Sequence, residues 1–218
     1  MQSIGAIFDW DGVVVDSAQL HVASWAQLAM EESFPPPEVP GLGGLGLKNE
    51  IVIGKLLGWT QDSDEIKRLM RRKEILFRER LARGGIDAIP GVVDFLRQLK
   101  ATGIPAVIGS SAPRANVEAC ITALQLDGLF VGAITAEDVS HGKPDPEVFL
   151  KCAALLSCAP AACVVFEDAP AGVEAARAAG MAVIGVLSTR PREQLAGVRR
   201  YISSFTELTP TDLMRLLS

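Results

Sequence analysis

Ile4-Gly5-Ala6-Ile7-Phe8-Asp9-Trp10-Asp11-Gly12 runs an unbroken apolar segment into two carboxylates and a glycine. A continuous apolar run of this length suits a strand buried on both faces, as in a parallel sheet. Two like charges two residues apart repel, and one is driven to keep a proton unless a cation lies between them. The carboxyl end of a parallel strand is also where α/β folds place their ligands. The pair therefore reads as a metal site, an acid/base pair, or a nucleophile with its helper. Asp-x-Asp-Gly is equally a tight-turn sequence, because Asp and Gly favour turns and Asp caps helices.

Working outward, apolar runs suited to buried strands recur at 104–108, 131–134, 162–166 and 182–186, with a short last one at Tyr201-Ile202. Helical patterns alternate with them at 92–102, 114–124, 146–156 and 171–179. This alternation predicts an α/β fold: a Rossmann-like parallel sheet covered by helices on both faces. The long stretch between Phe8 and Ile104 breaks the rhythm. It shows helical patterns at 17–32, opened by a Ser17 cap, at 49–57 and at 64–83, with Gly84-Gly85 as a stop and a Pro/Gly-rich loop at 35–46. We expect a helical cap inserted after the first strand, over residues 16–86, acting as a lid on the Asp9/Asp11 site. Residues 1–15 and 87–218 then form the catalytic core.

Composition narrows the function classes. The chain has 218 residues, 49% of them hydrophobic, and a formal net charge of −5. Its densest basic patch, Lys67, Arg68, Arg71, Arg72 and Lys73, has helical spacing and reads as a solvated helix face, so no nucleic-acid partner is expected. Cys120, Cys152, Cys158 and Cys163 lack Cys-x-x-Cys spacing, and His21 and His141 are the only histidines. These spacings predict buried reduced thiols rather than a zinc site or a disulfide framework. We expect neither a membrane span nor a signal peptide, because no apolar stretch is long enough for the one and the first strand begins too early for the other. The expected setting is the cytoplasm, or an organelle stroma after processing.

Four polar features fall at predicted strand ends: Asp9/Asp11; Gly109-Ser110-Ser111; Gly142-Lys143-Pro144-Asp145-Pro146; and Phe166-Glu167-Asp168-Ala169-Pro170-Ala171-Gly172. Each has a plainer reading: Ser110-Ser111 as an N-cap pair, Lys143-Pro144 as a turn, Glu167-Asp168 as a cap on the next helix. Ending on one edge of a parallel sheet, the four would converge. Asp9, Asp11, Glu167 and Asp168 offer only oxygen ligands, which suits Mg2+. A serine hydroxyl, helix-start N–H groups and a lysine make a phosphate cradle. A carboxylate beside such a cradle can attack phosphorus, and a second can move the proton.

On these motifs the chain resembles the haloacid dehalogenase superfamily, and within it the β-phosphoglucomutase-like phosphatases, through residues 8–17, 107–111, 142–149 and 164–176. The resemblance implies Asp9 as nucleophile, Asp11 as general acid/base, and Ser110, the Ser111 backbone and Lys143 as phosphate binders. It implies a Mg2+ site made by the Asp9 side chain, the Asp11 carbonyl and Asp168, with Glu167 as a further ligand or a support behind them. Asp11 fits phosphate-ester chemistry, since relatives acting on carbon–halogen or carbon–phosphorus bonds lack an acid there. In the cap, His21 and Lys73 match residues that meet substrate in the mutases; the plainer readings are a histidine packed at the cap hinge and a surface lysine. The mutases carry an arginine in the cap loop, where this chain reads Gly46-Leu47-Lys48-Asn49-Glu50. Lys48 replaces it only as a point charge, which tilts the reading toward a phosphatase.

Segments 46–50, 57–60, 111–117 and 136–149 further resemble a plant and bacterial subgroup, some of whose members are linked to ribityl-aminouracil phosphate. Arg114 and Asn116 are candidate substrate contacts, or else ordinary residues in the first turn of a solvated helix. The expected protein is a monomeric Mg2+-dependent phosphatase of a small metabolite. The alternatives are a phosphoglucomutase-type transferase and a non-catalytic sensor of a phosphometabolite.

Overall fold

The computed structural model describes residues 4–38 and 49–217. In chain order the elements are β1 (Gly5–Phe8), β2 (Val15–Asp16), α1 (Ala18–Glu31), α2 (Asn49–Ile51), α3 (Ser63–Gly84), β3 (Asp87–Ala88), α4 (Val92–Ala101), β4 (Ala106–Gly109) and α5 (Arg114–Leu124). They continue as β5 (Ala133–Ile134), α6 (Glu147–Leu155), β6 (Cys163–Glu167), α7 (Pro170–Ala178), β7 (Ala182–Val186), β8 (Arg200–Ile202) and α8 (Pro210–Leu217). The chain forms two compact units, Met1–Asp16 with Asp87–Ser218, and Ser17–Ile86.

The first unit is a six-stranded sheet in the order β5-β4-β1-β6-β7-β8, with every pairing parallel. From β1 the chain first adds strands on one side, then returns to add β6, β7 and β8 on the other. That reversal is the topological switch point at which open α/β sheets bind ligands. Helices cover both faces because alternate side chains of a strand point opposite ways. Ile7, Val107 and Val165 pack with Phe149, Cys152, Val173 and Ala176 from α6 and α7. Phe8 faces the other side, stacked on Phe166 at 4.4 Å between ring centroids and flanked by Phe95, Phe130 and Phe205.

Several boundaries differ from the sequence expectation. β4 starts at Ala106 because Pro105 has no N–H to give a ladder; its carbonyl instead accepts from Ala6 at 3.0 Å. α8 lies beyond the helical patterns read from the sequence, although Thr209-Pro210-x-Asp212 signals a helix start. The Asp212 carboxylate accepts the Thr209 N–H at 2.8 Å and its hydroxyl at 2.7 Å. A two-residue antiparallel ribbon pairs Val15 with Ala88 and Asp16 with Asp87, the residues that flank the insertion in the chain.

The second unit is helical. α1 and α3 enclose Trp25, Leu28, Val52, Ile53, Leu69 and Leu76, and residues Val52–Leu56 form a π-helical turn after α2. Ser17 stands at the N-cap position of α1, but its side chain makes no capping bond to the helix. Asp62 does cap α3, accepting the N–H groups of Asp64 and Glu65 at 3.0 and 2.8 Å. The basic patch on α3 is not a freely solvated face. Arg68 pairs with Glu32 and Glu65, and Arg72 with Glu31 and Glu79, so their charge is spent on α1 and on α3 itself. Lys73 is buried. All four cysteines are free thiols, three buried and Cys158 half-buried. Among the described residues no helix is long and apolar enough to cross a membrane.

Removing the ring of Phe8 empties the centre of the aromatic cluster. Phe8→Ala is expected to lower stability by about 3–5 kcal/mol, read as a shift in the urea midpoint with an unchanged slope.

Candidate active site

The turn after β1 is held by its own backbone. The Asp9 N–H donates to Phe166 at 3.0 Å, extending the β1–β6 ladder one residue past the strand. The Trp10 carbonyl accepts from Val13, Val14 and Val15, and the Gly12 N–H donates to Val15 at 2.8 Å. Gly12 has φ +77°, and a Cβ there would lie 2.2 Å from Asp168 Oδ2, so both conformation and space demand glycine. Trp10 is buried with its ring edge on Phe130, and its indole N–H has no hydrogen-bond partner among the described residues. Asp11 is half-buried.

After β4, the Ser110 N–H donates to Ile134 at 2.9 Å and its hydroxyl oxygen accepts the Ala112 N–H at 2.9 Å. Ser110 is buried and Ser111 exposed. The N-cap position of α5 belongs to Pro113, so the two serines are not the cap pair of that helix. Lys143 precedes a cis proline, and its ammonium donates to Asp9 Oδ1 and Glu167 Oε1, both at 2.7 Å. Glu167 is completely buried. Its other oxygen accepts the N–H groups of Asp168 and Ala169, both at 2.8 Å, so it also serves the start of α7. A Cβ on Gly172 would lie 1.6 Å from Glu167 Oε1; the bare backbone of α7 makes the slot for this carboxylate.

Asp9, Glu167 and Asp168 each place one carboxylate oxygen within 4.8 Å of the others. The Asp11 side chain is not part of this group. Burial pushes the Asp9 carboxyl up to about 7 against the pull of Lys143, and Glu167 adds to the rise. Burial and then the charges of Glu167 and Asp9 likewise raise Asp168. Burial disfavours the charge of Lys143, but the two carboxylates outweigh it and hold the ammonium protonated. Three acids against one ammonium leave surplus negative charge in a dry place, and all the donors are oxygen. That set fits a hard divalent cation such as Mg2+.

Two residues outside the sequence-predicted set also sit here. After β7, the Thr189 hydroxyl donates to Asp168 Oδ2 and the Ser188 hydroxyl to the Gly12 carbonyl. A signal for them exists in the sequence: they come after the run 182–186, a fifth strand ending on the same edge.

Other candidates lie elsewhere. The Arg114 guanidinium is engaged by Asp138 at 2.5 Å, and its N–H by Glu137. Asn116 is buried, which excludes the reading as a solvated first-turn residue. In the helical unit, His21 stacks on Phe77 at 4.5 Å and its Nδ1 lies 2.7 Å from Lys73 Nζ. Lys73 is 2% exposed and donates to Glu74 at 2.9 Å, over the rings of Trp25 and Phe77. It is not a surface lysine; a buried carboxylate and two aromatic faces replace its water. Lys48 lies outside the described residues.

A doubly wound sheet with an all-oxygen acidic cluster and a lysine at its switch point is of the Rossmann-like α/β class. The profile of the haloacid dehalogenase-like hydrolases matches residues 6–186, and the chain belongs to that family. It is 34% identical over 216 residues to the chloroplastic 5-amino-6-(5-phospho-D-ribitylamino)uracil phosphatase of Arabidopsis thaliana, covering 98% of this chain and 57% of that protein. The chain thus spans little more than half the length of that relative. It is 35% identical over 214 residues to hexitol phosphatase A of Escherichia coli K12, covering 97% of this chain and 95% of that one. A haloacid dehalogenase family IA hydrolase from Entamoeba histolytica superposes with a TM-score of 0.88 at 27% identity, covering 100% and 99% of the two chains.

Two substitutions separate the units. Gly172→Ala forces Glu167 out of its slot and is expected to cut turnover by at least about tenfold with the circular dichroism spectrum unchanged. Lys73→Met takes the ammonium away from the buried Glu74 carboxylate and is expected to cost about 3–5 kcal/mol, measured by chemical denaturation.

Proposed function

We propose that this chain is a Mg2+-dependent phosphoric monoester hydrolase acting on a small phosphorylated metabolite through an aspartyl phosphate. The observation that carries the reading is Lys143, whose ammonium spans Asp9 and Glu167 at 2.7 Å each beside Asp168. This is a nucleophile-capable carboxylate held against a fixed positive charge where a phosphate dianion would otherwise be repelled.

In this mechanism an oxygen of Asp9 attacks phosphorus in line and the bond from phosphorus to the leaving alcohol oxygen breaks. Asp11 gives that oxygen its proton. Asp11 then takes a proton from a water that attacks the same phosphorus, and inorganic phosphate leaves as Asp9 is regenerated. Ser110, the Ser111 N–H and Lys143 bind the non-reacting phosphate oxygens. Asp9, Glu167, Asp168 and the Asp11 carbonyl would hold Mg2+, which when bound supplies positive charge against the phosphoryl oxygens.

For substrate we favour a phosphorylated acyclic polyol. The hexitol phosphatase and the ribitylamino-uracil phosphatase are both named for an open-chain polyol substrate. We assign its selection to the insert Ser17–Ile86, which comes directly after the catalytic turn in the chain. His21 and Lys73 then act within the insert's own packing, and Lys48 stands as its candidate phosphate contact.

The test is phosphate release from a panel of hexitol, pentitol and hexose phosphates and ribityl-aminouracil phosphate, with Mg2+ and with EDTA. Release is expected only with Mg2+ and to favour the acyclic compounds. Asp9→Asn is expected to lower it at least about a thousandfold, and Asp11→Ala about 10²–10⁴-fold. Conversion of β-glucose 1-phosphate to glucose 6-phosphate on addition of a sugar bisphosphate, without net phosphate release, would replace the hydrolase with a mutase. Ligand binding without turnover on any compound would favour a sensor.

A further inference from the structure

We propose that Thr189, seconded by Ser188, is a positioning residue for the cation site: by holding Asp168 Oδ2 it fixes the orientation in which that carboxylate would meet the metal. The inference rests on the Mg2+ reading above and extends it to a loop that carries no acidic residue.

β7 lies beside β6, with Gly185 opposite Glu167 in the parallel register. The loop leaving β7 is anchored at once, since the Leu187 N–H donates to the Ile202 carbonyl of β8 at 2.8 Å. Its next two residues turn back over the sheet edge. The Ser188 hydroxyl donates to the Gly12 carbonyl, in the turn that carries Asp9 and Asp11. The Thr189 hydroxyl donates to Asp168 Oδ2 and stands 3.4 Å from the Asp168 carbonyl. Three strand ends, those of β1, β6 and β7, are thereby tied together by side chains in addition to the ladder.

Threonine suits the task for a steric reason. Its branched Cβ restricts χ1. The methyl group faces Gly12, where an added Cβ would lie 2.9 Å from Thr189 Cγ2, while the hydroxyl faces the carboxylate. Asp168 is 5% exposed, so water cannot easily take the hydroxyl's place. A hydrogen bond to a charged acceptor is among the stronger kinds, and groups that orient a metal-binding side chain typically govern affinity 10–100-fold.

Mn2+ serves as the probe, its binding followed by electron paramagnetic resonance and calorimetry without substrate. Thr189→Val keeps the shape and deletes the donor; it is expected to weaken Mn2+ binding about 10–100-fold. Thr189→Ser, which keeps the donor, is expected to bind close to the parent. Should the valine variant fail to fold, Thr189→Ala deletes the hydroxyl without placing a methyl against the carboxylate and gives the same reading. Parental Mn2+ affinity in the valine or alanine variant would overturn the inference and leave the metal site standing. So would equal weakening in the serine and valine variants. A parent protein that binds no Mn2+ would instead overturn the metal reading on which this one rests.

Discussion

The ion pair from Lys143 to Asp9 and Glu167 is the contact on which the rest of the catalytic unit depends. Buried carboxylates repel one another and resist losing water, so three of them cannot share one sheet edge without a positive partner. Lys143 meets that need from a loop ahead of α6, reaching strands β1 and β6 at once. The sheet order makes the reach possible, because β6 is the direct neighbour of β1 although most of the chain lies between them. Small residues complete it: Gly12 and Gly172 remove side chains from where Asp168 and Glu167 must lie. The electrostatics of the site and the packing beneath it are one problem, solved by the same few positions.

Much of this was legible in the sequence because buried parallel strands are nearly continuous apolar runs, and the residues just beyond each run must emerge on one edge. Asp9, Ser110 and Glu167-Asp168 could be placed on one edge on that ground, whereas Lys143, well past β5 in the loop ahead of α6, was placed by its motif. Cross-strand side-chain bonds were not legible. Nothing in Leu187-Ser188-Thr189-Arg190 announces a carboxylate partner, since a hydroxyl is as much at home in a turn. Boundaries moved where one residue overrode a pattern, as Pro105 did at the start of β4. The helix over Pro210–Leu217 is the opposite case: its capping sequence was a sufficient signal, but its apolar pattern spans barely two turns.

The helical unit shows where pattern reading misleads. A run of five basic residues at helical spacing looks like one solvated face, yet its members part company. Arg68 and Arg72 bind acids on α1 and α3, and Lys73 turns inward to Glu74 and the aromatic rings. Helical periodicity gives the direction of a side chain to within a turn; it does not say that a lysine pointing inward will find a carboxylate. That information sits in Glu74, Asn49 and His21, dispersed along the chain and joined only by the fold.

The central place of β1 has a consequence for how the molecule is made. Of the strands in this sheet β1 comes earliest in the chain, yet its two partners are β4 and β6, and the carboxylates that complete the acidic cluster come only at residues 167 and 168. Until β4 and β6 have been made, both edges of β1 lack the strands they pair with. Such distant pairing slows folding and leaves hydrophobic surface open to the wrong partners. The order of strands in the chain thus makes β1, the centre of the sheet, the strand that waits longest for its partners.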